Sequence, residues 1–110
     1  MIVVEYLTRD GVSLYRRWLE TLDLSVRPRV EARVLRFGFG NLGDHKSVGG
    51  GVWEARLDFG AGYRVYFGKF GAGTIVLILG GDKHSQPRDI ELAKHAWADL
   101  SKEAKHGKTN

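Results

Sequence analysis

Positively charged side chains recur at fixed places in the second half of the chain, and their types suit contact with an anion. Arg56 and Arg64 lie within two predicted strands, and Lys83 and His84 follow a third. A cation in a strand is costly unless it faces water or a partner, so repeated strand cations indicate an anion-binding face. Guanidinium groups hold phosphate oxygens in a bidentate fork, which favours a phosphodiester as the anion.

The two strands that carry these arginines alternate apolar and polar residues. Arg56 belongs to the polar set of 52–59, and Arg64 and Tyr66 belong to that of 63–70. Because a short glycine turn joins the strands, their polar sets share one sheet face. We therefore expect both arginines to face solvent and to converge with Tyr66 on one concave face. The alternative is that carboxylates of the same region neutralise these cations across strands, namely Glu54, Asp58 and Asp82.

Such a cluster could cleave RNA without a metal or another cofactor. The reaction needs a base for the ribose 2′-hydroxyl, cations for the pentavalent phosphorane and an acid for the leaving 5′-oxygen. A lysine crowded by arginines can serve as the base, since neighbouring positive charge favours its neutral amine. That lysine would be Lys83, and His84 or Tyr66 could donate the proton. The alternative for His84 is an ordinary surface histidine.

A second group of cations follows helical spacing. Arg29, Arg33 and Arg36 occur at i, i+4 and i+7, which places them on one face of a helix. They either contact RNA phosphates or form a solvated outer face. The net charge of +4 and the pI of about 9.6 agree with a polyanionic partner.

The sequence predicts that the elements which position these residues form one α+β domain over residues 1–104. This domain has an antiparallel sheet of about four strands, an N-terminal helical hairpin and a C-terminal helix. The central strand, 74–79, is apolar on both faces and is therefore expected to be covered twice. The glycine-rich stretch 40–51 is expected to be a mobile loop. The basic tail 105–110 is expected to be disordered. The other predicted ranges are a strand over 2–7, a helix over 9–22, a helix from a Ser25 cap to Gly38 and Gly40, and a helix that starts at Ser85 and Pro87.

Composition and motifs exclude several other classes. The chain has no cysteine, and its four histidines lack metal-ligand spacing, so neither a disulfide framework nor a metal site is expected. There is no phosphate-binding glycine motif and no nucleophile elbow. No apolar run approaches the length of a membrane span, and the first residues lack the features of a signal peptide. A cytoplasmic protein without membrane association is expected.

Two blocks of sequence resemble a known family. GNLGDHKSVGGGVWEARLDFGAGYRVYF and GGDKHSQPRDIELA, in this order and spacing, are similar to the RelE/ParE superfamily of toxins from type II toxin–antitoxin modules. The similarity is greatest to the branch called addiction module killer or HigB-like proteins. It covers nearly the whole chain, and it implies a RelE/ParE-like fold.

The resemblance also implies a function. Family members arrest growth, and many cut messenger RNA on the ribosome without a metal, whereas the ParE-like branch poisons DNA gyrase. A small helix-turn-helix antitoxin holds them inactive, and a toxin–antitoxin heterotetramer is one expected assembly. Arg64 in GYRVYF matches the family's most recurrent strand arginine, Arg56 a recurrent strand cation, and Lys83 a cation after the third of these strands.

The chain departs from the best-known RNA-cutting members at one point, because RDIELAKHAW lacks their tyrosine early in the last helix. Tyr66 or His84 would have to replace it. Three functions therefore stay open: a ribosome-dependent mRNA endoribonuclease, a gyrase-directed toxin that acts by protein binding, and a non-catalytic module that binds only an antitoxin. The polar tail KHGKTN offers no apolar patch of the kind that gyrase binding would need.

Overall fold

A computed structural model describes the backbone of residues 1–107 and the side chains of residues 1–104. No helix in this part of the chain is long and apolar enough to cross a membrane. The tail predicted to be disordered begins inside the last helix, which continues to Gly107, and residues 108–110 lie outside the described residues. The elements are β1 Ile2–Glu5, α1 Leu14–Thr21, α2 Arg27–Gly38, β2 His45–Gly49, β3 Val52–Arg56, β4 Arg64–Phe70, β5 Thr74–Gly81 and α3 Gln86–Gly107.

The strands form one mixed sheet in the order β1-β5-β4-β3-β2. The α+β class, the helical hairpin and the C-terminal helix are confirmed. The prediction of about four antiparallel strands is wrong, because the sheet has five and β1 runs parallel to β5. A parallel pair needs a long crossover connection, and here the two helices and three intervening strands supply it.

The additional strand is β2, which lies inside the glycine-rich segment predicted to be a mobile loop. His45 pairs with Ala55 and Ser47 with Trp53 in an antiparallel ladder. Gly49, Gly50 and Gly51 all have positive φ and make the turn into β3. Local sequence favours a loop here, and the ladder with β3 overrides that preference.

The helix boundaries follow their capping residues. The Ser13 hydroxyl accepts a hydrogen bond from the Arg16 N–H at 3.0 Å, so α1 begins at Leu14 rather than near residue 9. The predicted Ser25 cap of α2 is wrong, because the Ser25 hydroxyl donates to Asp23 instead. A proline in the first turn of α2 and its end at Gly38 are both confirmed.

Helices cover both faces of the sheet and divide the core into two layers. Helices α1 and α2 pack on one face, where Tyr15, Leu19 and Phe37 are buried. Helix α3 packs on the other face and buries Ala93 and Ala96. Strand β5 is therefore covered on both sides, as predicted. The α3 face is also the face that carries the polar residues of β3 and β4, so this face is largely closed to solvent.

A close approach between α3 and the sheet gives a first testable prediction. A side chain at Gly68 in β4 would overlap the indole ring of Trp97, whereas one at Gly73 would meet no atom within 4 Å. Gly68→Ala should therefore lower the free energy of unfolding by about 1–3 kcal/mol through overpacking. Urea denaturation would measure this change, with Gly73→Ala as the matched control. An equal effect of both substitutions would show that Trp97 does not pack on the strand as described.

Candidate functional site

Arg56 and Arg64 form the last rung of the β3–β4 ladder. They are cross-strand partners, and the neighbouring pair of Glu54 with Tyr66 has the same parity. All four side chains therefore belong to the α3 face. The prediction that both arginines share one sheet face is confirmed.

The two arginines differ sharply in exposure. Arg56 is exposed, but Arg64 is only 4% exposed, so the expectation that Arg64 faces solvent is wrong. Its Nη1 donates to the Gly62 carbonyl oxygen at 2.7 Å, and its Nε lies 3.6 Å from a carboxylate oxygen of Glu54. The physical reason is α3, whose apolar stripe needs a sheet face and covers this one.

The carboxylate of Glu54 is fully buried at the centre of this cluster. Its Oε2 accepts hydrogen bonds from the Tyr66 hydroxyl at 3.0 Å and from the Gln86 amide at 2.8 Å, beside the ion pair with Arg64. Its Oε1 is buried and has no hydrogen-bond partner among the described residues. A single carboxylate oxygen thus connects β3, β4 and the first residue of α3.

The sequence indicated Glu54 as an alternative ion-pair partner of the strand cations, and the ion pair with Arg64 confirms this. It did not indicate the burial of Glu54 or its bonds to Tyr66 and Gln86. The signal that could have identified its burial is the apolar stripe of α3, which must cover one face of the sheet. Since the hairpin of α1 and α2 covers the other face, α3 must cover the face that bears Glu54.

Tyr66 lies out of reach of solvent. It is fully buried. Burial is the main cause that raises the pKa of its phenol well above the ordinary value, and the nearby Glu54 carboxylate raises it further. The phenol therefore stays protonated and donates to Glu54. This geometry suits positioning of the cluster rather than direct contact with a substrate.

Lys83 and His84 occupy the turn between β5 and α3, and both are exposed. The Lys83 N–H donates to the Ala61 carbonyl oxygen at 3.3 Å, which fixes this turn beside the β3–β4 connection. The Asp82 carboxylate accepts from the Ser85 N–H at 3.0 Å, and this bond is the main cause that lowers the pKa of Asp82. The side chain of Asp82 thus caps the turn instead of pairing with Lys83.

Most of the predicted cations are not neutralised. Among residues 1–104, the ion pairs are Arg16 with Glu5 and Arg64 with Glu54. The alternative that carboxylates neutralise the strand cations therefore holds for Arg64 alone. Arg56 and Lys83 have no carboxylate within 4.0 Å in this part of the chain, so both can meet an external anion.

The three α2 arginines lie together, as the helical spacing predicts, but their guanidinium groups make different contacts. Arg33 donates to the carbonyl oxygens of Arg56, Asp44 and Leu42 at 2.6, 2.8 and 3.0 Å, so its guanidinium fastens β3 and the segment before β2. The Arg29 guanidinium stacks 3.7 Å from the Phe59 ring centroid.

Together with exposed Arg36, these arginines line a cleft of about 270 Å³ against the β3–β4 connection. Asp58 is the carboxylate in the lining of this cleft.

The two cationic groups flank the same end of the β3–β4 ribbon. Arg56 lies on the α3 side, Lys83 lies in the turn after β5 beside the β3–β4 connection, and the arginine cleft lies on the α2 side. Such an arrangement can bind successive phosphates of a polyanion and can stabilise charge on a phosphorane. Among residues 1–104, no three histidine or acidic side chains come close enough together to hold a metal ion.

Comparison with known proteins identifies a relative. The chain is 45% identical over 78 residues to an uncharacterized protein of Haemophilus influenzae, and the match spans 70% of this chain and 79% of that protein. No family model matches the chain.

The contrast between the paired arginines gives a second prediction. Arg64→Ala would leave the Glu54 carboxylate buried without its cation, which should cost about 3–5 kcal/mol of unfolding free energy. Arg56→Ala removes an exposed, unpaired side chain and should cost within about 0.5 kcal/mol. Urea denaturation of both variants at pH 7 would measure the difference. Equal costs would contradict the buried ion pair.

Proposed function

The chain belongs to the same family as the uncharacterized protein of Haemophilus influenzae, and we propose for it the function that its cationic site supports best. In this proposal it is the cytoplasmic toxin of a type II toxin–antitoxin module, with a RelE/ParE-like fold. It cuts messenger RNA on the ribosome and thereby arrests translation and growth. Its exposed, unneutralised cations Arg56 and Lys83 are the observation that carries the proposal.

Two properties of the site support a phosphodiester as its target. Arg56 extends from the end of a strand and has no carboxylate partner among the side chains of residues 1–104, so its planar donors are available to phosphate oxygens. The ion pair of Arg64 with Glu54 is neutral overall, and with the bond to Gly62 it fixes the end of the β3–β4 ribbon from which Arg56 extends its charge. A charge that is already in place stabilises a phosphorane without reorganisation.

The proposed reaction is transfer of the phosphoryl group within the RNA. The ribose 2′-oxygen attacks the adjacent phosphorus, the bond to the 5′-oxygen breaks, and the products are a 2′,3′-cyclic phosphate and a free 5′-hydroxyl. One proton leaves the 2′-hydroxyl and one joins the 5′-oxygen. Of the predicted proton-transfer residues, Lys83 and His84 are exposed and Tyr66 is buried, so we assign both transfers to Lys83 and His84.

Arg29 and Arg36 extend the proposed RNA contact. Their cleft lies beyond the β3–β4 connection from Arg56, where the next phosphates of a bound strand would pass. Arg33 contributes indirectly, since it fixes the end of β3 through its bond to the Arg56 carbonyl oxygen.

A gyrase-directed toxin is the second candidate. The observation that favours it is an exposed apolar edge of the sheet, where Ile2, Val4 and Leu7 face solvent. The absence of an apolar patch was inferred from the tail, whose last residues lie outside the described part of the chain, whereas this edge is formed by β1.

The RNA-cutting proposal predicts a specific loss of activity. Arg56→Ala or Lys83→Ala should reduce mRNA cleavage about 10²–10³-fold, because the first removes a charge that stabilises the phosphorane and the second removes a proton-transfer group. Arg17→Ala, an exposed arginine on α1, is the matched control and should stay toxic. Primer extension on RNA from induced cells would reveal new 5′ ends inside reading frames, and cleavage should require ribosomes.

Two outcomes would overturn this proposal. Intact messages together with inhibited supercoiling and a DNA-damage response would favour the gyrase-directed toxin instead. A chain that neither arrests growth nor cuts RNA would favour the module that binds only an antitoxin.

The proposed partner is a helix-turn-helix antitoxin with an acidic segment that covers the exposed cations. Binding to this segment should weaken as salt rises, because screening reduces attraction between exposed charges. Titration of the purified antitoxin at several salt concentrations would measure this dependence, with Arg56→Ala expected to flatten it. An affinity that does not change with salt would contradict an acidic contact.

A further inference from the structure

The exposed apolar side chains of the chain are concentrated along one edge of the sheet. Among residues 1–104, six of the nine large exposed hydrophobic residues belong to β1 or to the surfaces beside it. We call them the β1 edge patch: Met1, Ile2, Val4, Leu7, Leu35 and Phe70. Contiguous exposed apolar surface of this kind marks a place where another molecule binds.

The edge also offers unpaired main-chain groups. Within residues 1–107, β1 pairs with β5 alone, and the N–H groups of Ile2 and Tyr6 donate to the carbonyl oxygens of Gly73 and Leu77. Because successive residues alternate in direction, the N–H and C=O groups of Val3 and Glu5 point away from β5. An open edge of this kind is a template for another strand.

Two separate depressions flank the open edge. On the hairpin face, a groove of about 1080 Å³ runs between β1 and the helices α1 and α2, with Leu19, Val34 and Leu35 in its lining. On the α3 face, a cleft of about 520 Å³ lies between β1 and the end of α3, with Phe70 and Leu100 in its lining. Side chains of an added strand would alternate between the two.

This geometry selects one kind of occupant. An amphipathic helix could fill only one depression and would leave the Val3 and Glu5 main-chain groups unpaired. A second copy of β1 would not fill the groove on the hairpin face either. Those of its side chains that would enter this groove already make contacts within their own chain. Val3 packs on its own core, and the Glu5 carboxylate accepts from Ser13 and Arg16. The large groove would therefore remain empty.

We infer that the β1 edge binds an extended segment of another polypeptide, which adds a sixth strand and inserts apolar side chains alternately into the groove and the cleft. Recognition by strand addition combines main-chain hydrogen bonds with pockets for alternate side chains. The edge lies three strand spacings, about 14 Å, from β3 in the sheet. A segment bound there leaves Arg56 and Lys83 open, and this inference holds whether or not the chain cuts RNA.

Selection of displayed peptides on the purified full chain tests the inference. The selected peptides should carry large apolar residues at successive positions i, i+1, i+2 and i+3, which enter the groove and the cleft in turn, and a synthetic copy should slow amide hydrogen exchange at Val3 and Glu5. Leu35→Glu should weaken binding at least about tenfold by placing a charge in the groove. Leu24→Glu is the matched control, since Leu24 is equally exposed at 74% against 67% but lies outside both depressions.

A backbone variant separates strand addition from simple apolar contact. Val3→Pro removes an outward N–H while leaving the ladder with β5 intact, and proline is tolerated on edge strands in this orientation. Val3→Pro should weaken binding of the peptide about tenfold, and its far-UV CD spectrum should be unchanged.

Several results would overturn the inference: no selected peptide, peptides with helical i, i+3, i+4 spacing, or equal binding to Leu35→Glu and Leu24→Glu. A homodimer in sedimentation that Leu35→Glu dissociates would assign the edge to a second copy instead.

Discussion

The burial of one carboxylate determines how the rest of this molecule is arranged. Glu54 can lose its water only because Tyr66, Gln86 and Arg64 surround it, and these three come from β4 and α3. A buried charge without partners would cost several kcal/mol, so α3 and the β3–β4 ribbon must meet in one register. The same requirement fixes Arg64, whose guanidinium would otherwise move freely at the surface.

This constraint explains why neighbouring arginines behave so differently. Arg64 pairs with Glu54, which also accepts from Gln86 at the start of α3, so Arg64 completes a structural cluster. Arg56 is its partner on the same rung, yet it extends past the helix into solvent. One rung thus contains a cation that stabilises the fold and a cation that is free to bind.

Much of the architecture could be predicted from the sequence because its signals are local. Alternation in β3 and β4 and the apolar run of β5 were sufficient to place these strands and to put Arg56 and Arg64 on one sheet face. The errors have a non-local origin. β2 exists because β3 offers it a ladder, and the burial of Arg64 depends on a helix that begins more than twenty residues later. For the same reason, strand parity identified the shared face but not the helix that covers it.

The position of β1 has a consequence for how the chain assembles. Its partners, Thr74 to Leu77, belong to the last strand to be synthesised, so the first strand waits unpaired while nearly the whole sheet is made. Contacts so distant in sequence close slowly, because a long loop must be ordered before they form. The apolar residues of β1 are therefore exposed at two stages. During synthesis both edges of the strand are unpaired, and in the folded chain the edge that faces away from β5 remains open. Until β5 is made and pairs with it, β1 exposes apolar side chains of the kind that make incompletely folded chains prone to aggregate.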